Sequence, residues 1–382
     1  METIELSPAV LDWAASQAGE HASNLAQKIS KKSAEKIRGG TLTYAQVLKF
    51  AKLAGVPLGF LFLDEPPEPR KAPLADFRTL PEAHPLSKDF FDVYDDIDFK
   101  FSWLRERLIA LGADPLPIAG KYSKKKPAIA DLAAEIRKFI GFTTADLKTV
   151  PNPDQHFGLL AEKCERAGIF VFKNGVVGNS NRRSLSVSEF RGFVIADPYC
   201  PVIFVNGADA PAAWVFTLAH ELAHIWLGDS SISDVRAGTE HKVEKYCNAV
   251  AGEMLVPSDD FRSVWYEDTT LNADARLESV RKHFKVSKTV AARRAFDLDL
   301  ISKNQYLDIY QLARQAAKAK SQEQGGGDYY KTLAVRNSKT FSLEVANLAV
   351  SGEITLGQAG RLLNTNPNKV VKLFEKRHAI SI

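Results

Sequence analysis

The sequence predicts an α+β fold: a mainly helical, multidomain chain holding one small sheet. Three observations lead there. Apolar residues recur at helical spacing over most of the chain, as in Val215, Leu218, Ala219, Leu222, Ile225 and Trp226. Two short β-rich runs, Glu189–Pro198 and Cys200–Asn206, are joined by a Pro-containing turn. At 382 residues the chain is long enough for two or three domains, and Pro66–Pro73 supplies a Pro-rich break.

Residues 7 to 66 predict several short helices, marked by Val10, Leu11, Trp13 and Ala14, then by Ala22, Leu25, Ala26 and Ile29, then by Val47, Leu48, Phe50, Ala51 and Leu53. After the Pro-rich linker come a helix from about Asp89 to Leu111, a basic loop Lys121–Pro127 and a helix Ala128–Ile140. Gln155–Ala167 predicts a further helix and Ile169–Phe172 a strand. Val176–Val187 is a polar loop placed to overhang a cleft or simply to connect. The helix through Phe216–Leu227 starts near Asp209 and Pro211 and stops at Gly228. A second helix, carrying Val243, Tyr246, Cys247, Val250, Ala251, Met254 and Leu255 on one stripe, ends at Pro257. Leu277–Phe296 has a helix, Val-Ser turn, helix rhythm. Gly325-Gly326-Gly327 predicts a joint, and Gly352–Phe374 a last helical unit.

Composition is that of an ordinary globular chain, 45% hydrophobic and 25% charged. No run of eighteen apolar residues offers a membrane span, and the acidic start lacks the apolar core of a secretory signal. Cys164, Cys200 and Cys247 are scattered and make no disulfide framework. A cytoplasmic protein without membrane partners is the expectation. The net charge of +4 is too small to argue for nucleic acid by itself. Its distribution is more suggestive, because Lys28, Lys31, Lys32, Lys36 and Arg38 cluster near the N-terminus, while Asp89, Asp92, Asp95, Asp96 and Asp98 form an acidic run. Lys31, Lys32, Lys36 and Arg38 are the candidate nucleic-acid contacts; a solvated helix face is the plain alternative.

The chemistry is concentrated in His220-Glu221-Leu222-Ala223-His224. Two histidines one turn apart share a helix face, so both rings can reach one metal ion, and Glu221 between them can act as a general base toward water. A hydrolytic zinc site takes three protein ligands. Glu244, separated from His224 by nineteen intervening residues, stands at the border of the second apolar stripe, where an ionised carboxylate is costly unless paired or metal-bound. Asn248, one turn on, is placed to accept from a ligand imidazole or to be an ordinary helix amide. Glu253 is expected at the surface. Gly192 permits a close approach or marks a bulge. An edge strand beside the histidine helix would hold an extended peptide, but the sequence does not say which strand is the edge. His241, Tyr246, Arg191 and His283 are candidates by type alone for stabilising a developing oxyanion, and each also fits a structural role.

The spacing of His220, Glu221, His224 and Glu244 resembles the thermolysin-like glutamate zincins. The stretch Glu244-x-x-Cys-Asn-x-Val-Ala-x-Glu-Met-Leu-Val-Pro257 resembles the ImmA/IrrE metallo-endopeptidases, departing only at Cys247, Val250 and Met254. Gly55–Pro67 and Ser7–Ala14 resemble the end and the opening of the Cro/repressor-type (XRE) helix-turn-helix domain fused to such peptidases. Lys36–Thr43 departs from that pattern. Asp76-Phe77-Arg78 recurs at this point in the fused family.

The resemblance implies a gluzincin-like peptidase core flanked by helix-turn-helix-type units: a degenerate helix-turn-helix at 1–66, a linker and helical region at 67–154, the peptidase core at 155–265, a helical extension at 266–324 and a C-terminal helical domain at 325–382. It implies that His220, His224 and Glu244 hold Zn2+ with Glu221 as base. It also implies a regulatory endopeptidase acting on a repressor or antitoxin, with a cognate toxin as another partner and DNA met through the helix-turn-helix. The alternative is a non-proteolytic transcriptional regulator or antitoxin-like binding protein on the same fold.

Overall fold

The structure is a computed structural model that describes residues 2–68, 70–76, 86–233, 241–319 and 328–376, with backbone only over 314–319. Its contacts divide it into two units.

The first unit runs through Ala72 and takes in the start of a later helix up to Phe91. It contains β1 (Thr3–Glu5), α1 (Pro8–Gln17), α2 (Ala22–Ile29), α3 (Ala34–Arg38), β2 (Thr41–Thr43) and α4 (Tyr44–Ala54). Pro8 at the first position of α1 needs no intrahelical N–H. A reciprocal capping box between Thr43 and Gln46 opens α4. Val10, Leu11, Leu25, Ile37, Val47 and Phe50 close around one small core. β1 and β2 pair antiparallel, Thr3 opposite Thr43, a ribbon the apolar pattern did not announce. Helix α3, which runs into the stretch that departs from the helix-turn-helix pattern, has only five residues. Lys31 and Lys32 lie on the single 3-10 turn before it, Lys36 and Arg38 on α3 itself, and all four are exposed.

The second unit holds β3 (Ala75–Asp76), α5 (Lys88–Ala110, from Asp92 on), α6 (Ile129–Ile140), α7 (Pro153–Arg166), β4 (Phe170–Asn174), β5 (Gly192–Ile195), β6 (Val202–Asn206), α8 (Pro211–Leu227), β7 (Ser231–Ser233) and α9 (Lys242–Leu255). It continues through α10 (Ser258–Trp265), α11 (Ala273–Phe284), α12 (Lys288–Asp297), α13 (Lys303–Ala319), α14 (Tyr329–Arg336), α15 (Lys339–Ser351), α16 (Leu356–Leu362) and α17 (Pro367–Glu375). Phe77, Arg78 and the Gly325–Gly327 joint lie outside the described residues.

The sheet order is β3-β7-β5-β6-β4, antiparallel across β7-β5-β6 and parallel at both ends. Of the three strands foreseen in sequence, β5 and β6 are therefore interior and β4 is an edge; β3 is the other edge. Both faces are covered, which is why these strands are apolar throughout. Val171, Val194, Ile203 and Val205 belong to the core built by α8 and α9. Alternate residues face the other way: Phe193 stacks on Phe204 at 4.9 Å and meets Tyr94 of α5 at 5.7 Å, while Phe172 meets Phe341 of α15.

Three further contacts hold the frame. The loop after α5 closes the end of α8, with Gly120 N–H donating to Ile225 and Tyr122 N–H to Trp226. Glu165 of α7 accepts from the backbone N–H groups of Lys339 and Thr340, capping α15. The ammonium of Lys100, buried within α5, donates to Asp96 at 2.5 Å and to Asn337 at 2.7 Å. Stretches α11 and α12 share one apolar core with α8 and α9 through Leu277, Val280, Phe284, Ala291 and Ala295. Among the described residues no helix is long and apolar enough to cross a membrane.

Candidate metal centre

Helix α8 is apolar nearly all round because it is buried from Thr217 to Leu227, and that burial carries the polar residues of its motif inside. His220, Glu221, His224 and Glu244 are all buried. Helix α9 packs along α8 and presents Glu244 from its first turn. The two imidazoles meet with Nε2 atoms 3.0 Å apart; Glu244 brings Oε2 to 3.1 Å from His220 Nε2 and Oε1 to 3.0 Å from His224 Nε2. One ligand atom from each residue lies within 4.8 Å of the others, the only such His/Cys/Asp/Glu group among the described residues.

Neutral imidazole nitrogens and a carboxylate are electron-pair donors, and three of them converging in a dry interior are the donor set of a divalent cation of zinc type. Asn248 fixes one tautomer: its Oδ1 lies 3.0 Å from His220 Nδ1, so Nδ1 carries the proton and Nε2 turns its lone pair inward. Burial works against the charge on His220, but the Glu244 carboxylate overrides it and raises the pKa. For His224 burial prevails and lowers it. Burial alone would raise Glu244, yet the two histidines hold it well below the usual carboxylate range.

Glu221 differs. Burial pushes it up to about 8, with His220 opposing and Glu244 adding to the rise. The Ser233 hydroxyl on β7 also pulls down, although it makes no well-formed hydrogen bond with the carboxylate, both of whose oxygens are unpaired within the protein. A buried carboxylate without donors persists at a cost that a nearby cation offsets.

Gly192 on β5 is part of the centre. A Cβ there would stand 2.7 Å from Thr217 Cγ2 and 2.9 Å from both Glu221 Oε1 and the Phe204 carbonyl oxygen. Only glycine lets the strand lie this close to the Glu221 carboxylate. The sequence offered this beside a plain bulge; the geometry selects close approach. Ser233 and Thr217 carried no sequence signal.

The oxyanion-stabiliser candidates are engaged elsewhere or face outward. The Tyr246 hydroxyl donates to the Pro127 carbonyl, and Arg191 pairs with Asp209 at 3.1 Å. His283 and His241 are exposed. Glu253, expected at the surface, is instead nearly buried. It accepts from Arg294, and from the backbone N–H and hydroxyl of Ser258, so it joins α9, α10 and α12.

No curated protein matches this chain. Residues 164–296, from the end of α7 through most of α12 and including every residue of the centre, match the IrrE N-terminal-like domain of the Peptidase_M78 family, a metallopeptidase domain, and the match does not reach the N-terminal helices.

Proposed function

We propose that this chain is a zinc-dependent endopeptidase that cuts a protein partner of the repressor or antitoxin kind. The observation that carries the reading is the convergence of His220 Nε2, His224 Nε2 and the Glu244 carboxylate at 3.0–3.1 Å beside the buried, unpaired Glu221. Zinc, when bound, would supply a Lewis acid that polarises the scissile carbonyl and acidifies water.

The rest falls to side chains. Asn248 keeps the His220 ring in the tautomer whose Nε2 can ligate. Glu221, in its ionised form, takes a proton from the attacking water as the water oxygen bonds to the carbonyl carbon. Glu221 then returns that proton to the amide nitrogen as the C–N bond breaks. Gly192 leaves the carboxylate room to sit there. An extended segment already lies along β7, because Ala75–Asp76 of the chain pairs with Ser231–Ile232. A peptide held there by the same main-chain pairing, with limited side-chain preference, would have to take the place of that two-residue strand.

One observation favours the second reading, a non-proteolytic regulator: all four chemical residues are shut away from solvent. A survey of new protein N-termini in cells expressing the wild type or Glu221→Gln decides between them. A cut made only by the wild type supports the peptidase and names its substrate. Identical termini, with both proteins folded and zinc-loaded, transfer the weight to the regulator.

A further inference from the structure

We propose that α16 and α17 form a helix–turn–helix that seats α17 in the major groove of duplex DNA. The local stereochemistry of that motif is present. Helix α16 has seven residues, a four-residue turn follows, Leu363–Asn366, and α17 has nine. The helices cross at Gly360, where a Cβ would stand 2.8 Å from the Thr365 carbonyl oxygen and 3.3 Å from Pro367 Cδ. A side chain there would push α17 away from α16. Four residues later Asn364 takes the left-handed backbone conformation, φ 52°, that reverses the chain; asparagine tolerates it better than most residues. Ala359 and Leu362 on α16, Leu363 in the turn, and Val370 and Leu373 on α17 are buried, and both helices pack on α15.

That packing fixes which face of α17 is left over. Asn368, Lys369, Lys372, Glu375 and Lys376 are exposed, and Arg361 on α16 is exposed beside them. Lysine is the ligand of phosphate and of guanine O6/N7, and asparagine of adenine N6/N7. Three lysines against one glutamate give the face the sign that DNA requires. Two of them are held in place by aromatic rings of α14: Lys369 Nζ lies 4.0 Å from the Tyr329 ring centroid and Lys376 Nζ 4.6 Å from that of Tyr330. At 1.5 Å per residue, α17 is about 13 Å long, enough to cross a groove about 12 Å wide. In the N-terminal unit, by contrast, the helix that carries Lys36 and Arg38, α3, has only five residues. The DNA-reading element is thus at the far end of the chain from the place the sequence pattern suggested.

The test uses the full chain and a fluorescent mixed-sequence duplex of about 24 base pairs, titrated at low salt and again across a salt series. The wild type is expected to bind with a steep salt dependence. Lys369→Ala/Lys372→Ala/Lys376→Ala is expected to bind at least about 10-fold more weakly, with a log–log salt slope shallower by about 2–3. Lys31→Ala/Lys32→Ala/Lys36→Ala/Arg38→Ala is expected to bind like the wild type. Because every substituted side chain is exposed, unchanged melting temperature and zinc content verify that the variants fold. Absence of binding by the wild type at low salt, equal binding by the α17 variant, or loss confined to the N-terminal variant would each overturn the proposal. None of these outcomes bears on the peptidase reading.

Discussion

Asn248 stands one turn beyond Glu244 on α9, and its side-chain oxygen lies 3.0 Å from His220 Nδ1, so one helix supplies both a metal-type ligand and the group that orients another. Asn248→Ala removes the acceptor without touching a ligand. Zinc affinity, measured against a competing chelator, is expected to fall about 10–100-fold. An unchanged affinity would show that the contact does not set the tautomer.

Gly192→Ala drives a methyl group against Thr217, Glu221 and the Phe204 carbonyl. The variant is expected to lose about 1–3 kcal/mol in urea unfolding. Cleavage of the substrate found by the N-termini survey should fall well beyond that, with zinc retained, because the methyl group displaces the base rather than a ligand. Full activity would mean the strand yields.

Lys173 carries a pH signature away from the centre. Burial lowers its pKa to about 8, against the partial compensation of Asp154, while its Nζ lies 3.5 Å from the Trp214 ring centroid. Between about 8 and 10.5 the unfolded chain holds this proton and the folded chain does not, so folding stability rises with pH across that window. The contribution is at most about 1.4 kcal/mol per pH unit. Lys173→Met should remove it, so the wild-type and variant stability curves should converge as pH rises. Parallel curves would refute the assignment.

The Glu253–Arg294 pair is largely buried, and Arg294 also donates to the Val256 carbonyl at 2.9 Å. Arg294→Met strands the carboxylate and is expected to cost about 3–5 kcal/mol. Glu253→Gln/Arg294→Met together should cost less than the sum of the single changes in a double-mutant cycle. Additive losses would mean the two side chains do not act as a pair.

Much of the centre was legible because its signals are local. Two histidines at helical spacing need only the helix, and Glu244 stood out as a carboxylate at the border of an apolar stripe. Apolar runs likewise announced β5 and β6, since strands buried on both faces have no polar alternation to hide them. What stayed hidden depends on distant partners. Ser231–Ser233 has the composition of a turn and becomes a strand because β5 lies beside it. Ala75–Asp76 is extended only through β7. Glu253 was read as a surface residue because nothing near it in the chain reveals Arg294, forty-one positions on. The helices from residue 266 on read as an extension of the core because periodicity shows that a face is apolar but not what covers it; here α8 and α9 share one apolar core with α11 and α12.

The proposed activity requires that His220, His224 and Glu244 make a zinc site and that Glu221 is no part of its ligand set. Zinc measured by mass spectrometry in the purified full chain, prepared without chelators, tests this most directly. About one zinc ion per chain is predicted for the wild type and for Glu221→Gln. His220→Ala, His224→Ala and Glu244→Ala should each lose most of it while staying folded by circular dichroism. A folded wild type without metal, or zinc kept undiminished by all three ligand variants, would contradict the account.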